Sequence, residues 1–487
     1  MQRWFGFGNQ IWRAIAPAPS AVGYQNPPFD ADSLRPRPTH PNYFVSSIMS
    51  NFSDNRTSSL PRLIDLFICS LIVSAMLFVA YLKSLYPTWF PWLTMDSRNH
   101  LGAEYDCIAQ AIRAGRGFSD PFHEPTGPTA WMPPVMPYLM AGIYWLNNDD
   151  RQSVIEWMVA MQGISSLLTA MIVANEARKL RQVLAGYVII VLFYLANFNL
   201  LFQQTHDTAF LLTIVGLLWI GNNWFQRSEG IAAATKWGIF GGLCALASPV
   251  LGLTWAALVV QGCWTKPWRF DDPRLRRLLW AAAMSILVVM PWTVRNRIEL
   301  GAWFPIKPNG MYELWQSQCT GTDGIFDLQS ASTHPWSNAG EQRERYKQIG
   351  EIAFINEKGE IAKQEILAKP SEYLNRVANR FWAAFIVYNP FRPMDEYVGG
   401  GWPIFYSRCI FPLPILGLFA ILALRAAPLE LELRTAIAIV SFSLAPYVLV
   451  SYYDRYASML IGMKMIVVLY GWQSCVVWLT TKTKVQR

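Results

Sequence analysis

Apolar runs recur along this chain at lengths that match a lipid bilayer. The first, LIDLFICSLIVSAMLFVAYL at residues 63–82, is long enough as a helix to cross roughly 30 Å of hydrocarbon. Similar runs lie near 153–174, 183–200, 208–225, 237–248, 250–264, 278–292, 403–424, 435–452 and 457–479. They predict an all-α integral membrane protein with about ten transmembrane helices. The runs 237–248 and 250–264 meet at Ser248-Pro249. Two long polar segments, 86–151 and 294–401, separate the runs. Within the first, residues 135–146 are apolar but short, and read as a helix at or dipping into the interface. Within the second, RFWAAFIVY at 380–388 reads as a piece lying along the membrane.

Lysine and arginine set the orientation. EARKLRQ, QRSEG, TKPWRFDDPRLRR, RAAPLELELR and the closing KTKVQR all fall on one side, which the positive-inside tendency makes cytoplasmic. Both termini are then inside, and 86–151, FQQTHD, 294–401 and YYDRY are outside. The proline-rich stretch 1–62 reads as a disordered cytoplasmic tail, without the pattern of a signal peptide, and Met49 is an alternative start. The remaining divisions are a transmembrane module at 63–293, an extracytoplasmic segment at 294–401 and C-terminal transmembrane helices at 402–487.

Composition agrees with lipid. Charged residues make up 15% of 487 and the chain carries 22 Trp, whereas a soluble chain carries about 25% charged residues. The net charge of +8 sits between apolar runs, so it reads as cytoplasmic loops and not as a nucleic-acid surface. Seven cysteines without a CxxC indicate neither a zinc site nor a disulfide framework. A bridge between Cys107 and Cys319, both placed outside, stays open.

The candidate chemistry lies in the external segments. GAEYDCIAQAIRAGRGF at 102–118 reads as an amphipathic helix ended by Gly115 and Gly117. Glu104 stands on its first turn, facing a cavity between loop and spans. A carboxylate near lipid needs a partner or water, although the helix dipole also favours an acid there. PTAWMPPVMPY reads as a rigid entrance to the interface, or as the passage by which a lipid substrate reaches that cavity. Asp207 in THDTAF begins the fourth span on the side of Glu104, as an N-terminal acid or a site residue. His100, His123, His206 and Asp207 show no metal-ligand spacing. Arg295 and Arg297 in MPWTVRNRIELGAWFP follow the seventh span on the outer side, against the positive-inside tendency. Arginines there suit phosphate, in a substrate or in lipid headgroups. Arg455 in SYYDRYASML invites the same reading, with Asp454 as a local counter-charge.

In that order GAEYDCIAQAIRAGRGFSDPF, GPTAWMPPVMPYLMAGIY, MPWTVRNRIELGAWFPI, NGMYELW and HPWSNAGEQRERYKQIGEIAF resemble a bacterial branch of the GT-C superfamily. Those polytopic glycosyltransferases include the protein O-mannosyltransferases and the aminoarabinose transferase of lipid A. The resemblance covers about residues 63–390 and implies a catalytic module in a GT-C bundle with large extracytoplasmic loops. It implies transfer of a sugar from a polyprenyl-phosphate carrier to an extracytoplasmic glycan, lipid or protein acceptor, at the bacterial cytoplasmic membrane. Glu104 matches the general base, and Asp207 the acid that orients the acceptor or a cation. Tyr105, Trp131, Arg295, Arg297, Glu313 and Arg455 fall among the substrate-binding positions. Leu101 stands where many relatives carry Asp, which leaves Asp96 and Asp106 as rival bases. Met132 replaces a lysine of the aminoarabinose transferases, which shifts phosphate contact to the arginines. No organic cofactor is implied, and a divalent cation stays open. A transporter or flippase of a lipid-linked sugar, or a non-catalytic scaffold of the cell envelope, are the competing expectations.

Overall fold

The computed structural model describes residues 59–86, 101–204, 206–261, 272–321, 323–337, 340–389, 402–424 and 429–485. All regular elements among them are helical, and the extended contacts are two isolated bridges, Ser119–Pro128 and Ile325–Tyr452. The first half of the bundle runs α1 (Ser59–Leu85), α2 (Glu104–Arg113), α3 (Val135–Leu146), α4 (Arg151–Lys179) and α5 (Val183–Ala196). A π-helical turn, Asn199–Gln203, leads on to α6 (Thr208–Arg227), α7 (Ile231–Ala247), α8 (Pro249–Gln261) and α9 (Pro273–Leu300). Short helices follow: α10 (Gly310–Trp315), a second π turn (Gln316–Thr320), α11 (Leu328–Ser332), α12 (Glu341–Ile349), α13 (Glu351–Ala368) and α14 (Pro370–Phe385). The chain closes with α15 (Trp402–Ile410), α16 (Leu413–Leu424), α17 (Leu431–Leu449), α18 (Asp454–Ser458) and α19 (Ile461–Val485).

Among the described residues seven helical segments are long and apolar enough to cross a membrane: α1, α4, α6, α9, the α15–α16 pair, α17 and α19. Helices α3, α5, α7 and α8 are apolar but shorter. The chain is therefore an all-α protein of the membrane-spanning class. Burial sorts the bundle into layers. The spanning windows of α6 and α19 are 67% and 61% buried, whereas that of α9 is 17%. The central helices are thus buried by their neighbours, while α9 turns Leu279, Ile286 and Leu287 outward, as a lipid-facing helix must. Small residues let α7 lie against α9. A Cβ on Gly238 would meet the Ala281 carbonyl at 2.3 Å, and one on Gly242 the Ser285 carbonyl at 2.8 Å. Glycine four residues apart is the sequence signature of such close helix contact in lipid. Inside the bundle, hydroxyls and amides pair across helices, as Thr254 with Ser443 at 2.9 Å and Asn222 with Thr435 at 3.0 Å.

Helix ends differ from the apolar runs in informative ways. The seventh run extends into a helix that carries Pro291 in its interior and stops only at Gly301, whose φ of 73° is left-handed. Arg295 and Arg297 therefore lie within the last turns of α9, not beyond it. The third run ends its α-helix at Ala196, and the last run splits into α18 and α19. Residues 380–385 are the end of α14 and not a separate piece. Of the predicted tail, Ser59–Arg62 begin α1, and the rest lies outside the described residues. Cys107 and Cys319 are both free thiols, so no bridge joins the two loops.

An outer layer caps the end of the bundle that carries α2. Phe122, Trp131, Tyr312, Trp315, Tyr346 and Phe354 form its aromatic core. Polar anchors fix the loop between α2 and α3 onto it. Buried Glu351 accepts the Ala130 N–H at 2.9 Å, the Tyr346 hydroxyl at 2.7 Å and the Thr129 hydroxyl. From α14, Arg380, with no exposed surface, donates to the Val448 carbonyl at 2.7 Å and the Leu449 carbonyl at 3.1 Å.

Candidate functional site

The site starts from an unusual approach to α2. Leu101, Gly102 and Ala103 have φ of 49°, 70° and 40°, three residues of positive φ in succession. Such a run is costly for residues with a Cβ and persists only where the surroundings enforce it. Gly102 is required for space as well, since a Cβ there would come within 2.8 Å of the Tyr105 ring. The run delivers Glu104 to the first turn of α2, while Tyr105, Ile108, Ala109 and Ala111 are buried.

Glu104 keeps 16% of its side chain exposed, and its Oε1 lies 3.5 Å from His334 Nε2. Burial pushes its carboxyl up to about 7 from the usual 4.5, against the opposing pull of Arg455 and Lys307 and with Glu313 adding to the rise. His334 is pushed down to about 3 by burial and by Lys307, so its ring is neutral at ordinary pH. Its Nδ1 accepts the Trp336 N–H at 3.2 Å. A neutral ring that accepts at Nδ1 carries its proton on Nε2, the nitrogen facing Glu104.

A second carboxylate is tied to a cation beside it. Tyr105 donates its hydroxyl to Asp207 Oδ2 at 2.9 Å, and Asp207 Oδ1 lies 4.0 Å from Arg455 Nη1. Arg455 Nη1 also lies 3.0 Å from His206 Nδ1. Burial opposes the charge on Arg455, but Asp207 and the surrounding tyrosines outweigh it and hold the guanidinium firmly protonated. Behind it, Asp454 accepts the Arg455 backbone N–H at 2.7 Å and the Tyr388 hydroxyl at 3.4 Å. Burial raises the Asp454 carboxyl to about 7 in spite of those bonds. On the remaining side Glu313 stands 3.5 Å from Lys307 Nζ and accepts the Tyr456 hydroxyl at 3.3 Å. Tyr456 is in turn stacked on Tyr447, with ring centroids 4.1 Å apart.

The structure thus brings Glu104, Tyr105, Asp207, Glu313 and Arg455 into one cluster. It places the other candidates elsewhere. Arg295 donates to the carbonyls of Thr129 at 2.6 Å and Phe118 at 2.8 Å, which makes it an anchor for the α2–α3 loop. Arg297 donates to the Gly301 carbonyl at the end of its own helix and is exposed. Trp131 is 1% exposed, packed 5.0 Å from the Tyr312 ring and 5.7 Å from His334, so it supports the site from beneath. Asp106 turns to the opposite face of α2, where it accepts the Tyr144 hydroxyl at 2.6 Å and pairs with Arg151. Asp96 and His100 lie outside the described residues. His123 packs on Trp336. Among the described residues no three His, Cys, Asp or Glu side chains gather as a metal-ligand set.

His334 and Lys307 are the members that sequence reasoning did not single out. Both lay in or beside stretches already noted: His334 opens HPWSN, and Lys307 precedes NGMYELW. Neither stretch says that its residue meets α2. Chemically, the cluster combines a carboxylate poised to take a proton near neutrality with a guanidinium and an ammonium able to hold an anion. No known protein family, curated protein or solved structure matches the chain.

Proposed function

We propose that the protein is a glycosyltransferase that moves a sugar from a polyprenyl-phosphate carrier to an acceptor hydroxyl. The reading rests on one observation: the carboxyl of Glu104, raised to about 7, is clustered with Arg455 and Lys307 at the edge of an apolar bundle. A general base is most effective when its pKa lies near the working pH. The reaction is a single displacement with inversion. The acceptor oxygen bonds to the anomeric carbon, the bond from that carbon to the phosphate oxygen breaks, and the hydroxyl proton passes to Glu104. The electron pair leaves on the polyprenyl phosphate, whose negative charge is stabilised by Arg455 and Lys307 in a site partly screened from water. Asp207 positions Arg455 and, through the Tyr105 hydroxyl, the first turn of α2. Glu313 and the outer layer contribute to acceptor choice.

In the same reading α5, α7 and α8 cross the bilayer with the seven longer segments, which gives ten spans. These helices have 14, 17 and 13 residues and reach about 20–26 Å at 1.5 Å per residue, so the bilayer thins locally or flanking residues complete the crossing. Both termini are then cytoplasmic, and the cluster lines a hollow that opens to the outer face of a bacterial cytoplasmic membrane. The test is transfer of radiolabel from a polyprenyl-phosphate sugar to acceptor in reconstituted vesicles, with wild type and Glu104→Gln. Transfer by wild type and its loss in the variant is the expected result. Movement of labelled carrier across the bilayer without transfer would make the protein a flippase, and retained transfer in the variant would remove Glu104 as the base.

A further inference from the structure

Helix α14 carries its side chains inside out. Arg376 and Arg380 lie on its inward face, in one stripe with Val377, Ala383 and Ala384. The outward stripe is Leu374, Ala378, Phe381 and Trp382, at the three- and four-residue spacing of a single helix face. Leu374 is 64% exposed, Phe381 46% and Trp382 55%. Beside that stripe the exposed residues are uncharged Asn375 and Asn379. A helix that faces water buries its apolar side and shows its charges. Here the guanidiniums point in and the large apolar side chains point out.

The inward bonds fix where the outward stripe lies. Arg380 donates to the Val448 and Leu449 carbonyls, and the Tyr373 hydroxyl donates to the Leu449 carbonyl at 3.2 Å. Leu449 is the last residue of α17, one of the seven segments able to cross the membrane, and is itself 52% exposed. Helix α14 is therefore fastened to the place where a spanning helix leaves the hydrocarbon. At the same end of the bundle Trp145, near the close of α3, and Trp303, just past α9, are also exposed. Tryptophan gathers at the lipid–water boundary, where an apolar ring and a polar N–H are both accommodated.

We infer that α14 is an in-plane membrane anchor, lying along the boundary between headgroups and acyl chains at the α2 end of the bundle. Bilayer lipid covers Leu374, Phe381 and Trp382, while Asn375 and Asn379 face water. Helices of this kind sit about 5–10 Å into the boundary. The inward arginines tie the anchor to the outer layer. Arg376 donates to the carbonyls of Ser317 at 2.8 Å, Gln318 at 2.5 Å and Gly321 at 3.0 Å, and Arg380 to the Ser317 hydroxyl at 3.2 Å. The loop that follows α10, the helix carrying Glu313, thus hangs from α14, and the bilayer surface fixes its position. The anchor does not depend on sugar transfer and exists whether or not the protein transfers anything.

The test reconstitutes the full chain in phosphatidylcholine vesicles. A small share of the lipid carries a diazirine, either near the glycerol or at the end of an acyl chain, and mass spectrometry maps the photolabelled residues. Ile286 and Leu287 of α9 serve as the lipid-facing control and the charged helix α12 as the water-facing one. Wild type should be labelled at Leu374, Phe381 or Trp382, more by the glycerol-level probe than by the chain-end probe. Ile286 and Leu287 should show the reverse order, and α12 should stay unlabelled. Phe381→Glu combined with Trp382→Glu should lose the α14 label, and amide exchange across residues 316–324 should quicken. Unchanged α9 labelling shows that the variant is inserted and folded, and the wild-type pattern decides the proposal without it. An unlabelled wild-type α14 beside a labelled α9 would overturn the anchor, as would full labelling of the charged variant. A stripe that is shielded from lipid and cross-links to a second chain would also overturn it, by making the face a protein interface. Loss of label with unchanged exchange at 316–324 would overturn the link to the loop.

Discussion

Glu104→Gln separates the electrostatics of the hollow from its chemistry, because it removes the charge and keeps the shape. The folded carboxyl titrates at about 7, and in the unfolded chain it returns to 4.5. Between those pH values the folded protein holds a proton that the unfolded chain has released. Stability therefore falls as pH rises through the window, and the loss is complete above the folded pKa. At about 1.4 kcal/mol per pH unit, the loss is on the order of 3 kcal/mol. Glutamine cannot titrate, so the variant lacks this share of the slope. Asp454, raised from 3.8 to about 7, retains a slope of the same sign in both proteins.

The assay is thermal unfolding in detergent between pH 5 and 8. The two midpoints should coincide near pH 5, where wild-type Glu104 is protonated and resembles glutamine. At pH 8 the variant should unfold a few degrees higher. Two parallel curves with a constant offset would show that Glu104 titrates as an ordinary surface acid, and the electrostatic account of the hollow would fail. Sugar transfer supplies the other half. Loss of a general base costs about 10²–10⁴-fold in rate, so a variant more stable at pH 8 and yet inactive is the combined expectation.

Three further outcomes follow from the contacts. Asp207→Asn weakens the bond from the Tyr105 hydroxyl and strips Arg455 of its counter-charge; transfer should collapse, and the midpoint should fall by the equivalent of about 3 kcal/mol. Arg295→Ala removes two charge-assisted bonds to the Thr129 and Phe118 carbonyls; a destabilisation of about 2–4 kcal/mol should come with faster proteolysis of the α2–α3 loop. The Cys107 thiol is pushed up to about 12 by burial and by Asp106 and Glu104; mass spectrometry should find it unmodified by maleimide at pH 7 until the protein unfolds, with dithiothreitol leaving the midpoint unchanged.

What could be read along the chain was whatever a local rule governs. Lipid forces long apolar runs, and the seven helical segments long enough to cross a membrane fall on them. Amphipathy and two glycines bound α2, and the structure ends that helix at Arg113, before Gly115. Helix geometry even separates the rival acids, since Asp106 lies two residues and about 200° around from Glu104. The contacts that build the hollow obey no local rule. Glu104 meets His334 across more than two hundred residues of sequence, and the tautomer of that ring depends on the backbone of Trp336. The role of Arg295 was hidden for another reason. An apolar run cannot show that a helix continues through a polar turn, and only the continuation to Leu300 carries this arginine to the carbonyls it holds.

The charge arrangement of the hollow has a kinetic consequence. Asp207 sits beside Arg455 and Glu313 beside Lys307, so two carboxylates offset two cations. Glu104 is the fifth group, and burial outweighs the pull of both cations on it. A donor phosphate that engages Arg455 and Lys307 would neutralise the two charges that favour ionised Glu104. Its proton affinity must then rise, which makes it a stronger base once the donor is bound. The pH dependence of kcat/KM reports the free protein and that of kcat the loaded one. The rising limb of kcat/KM should therefore fall near pH 7, and that of kcat at higher pH. Initial rates across pH at saturating and at limiting donor separate the two. Coincident limbs would mean that the phosphate does not bind at these cations, even if Glu104 is the base.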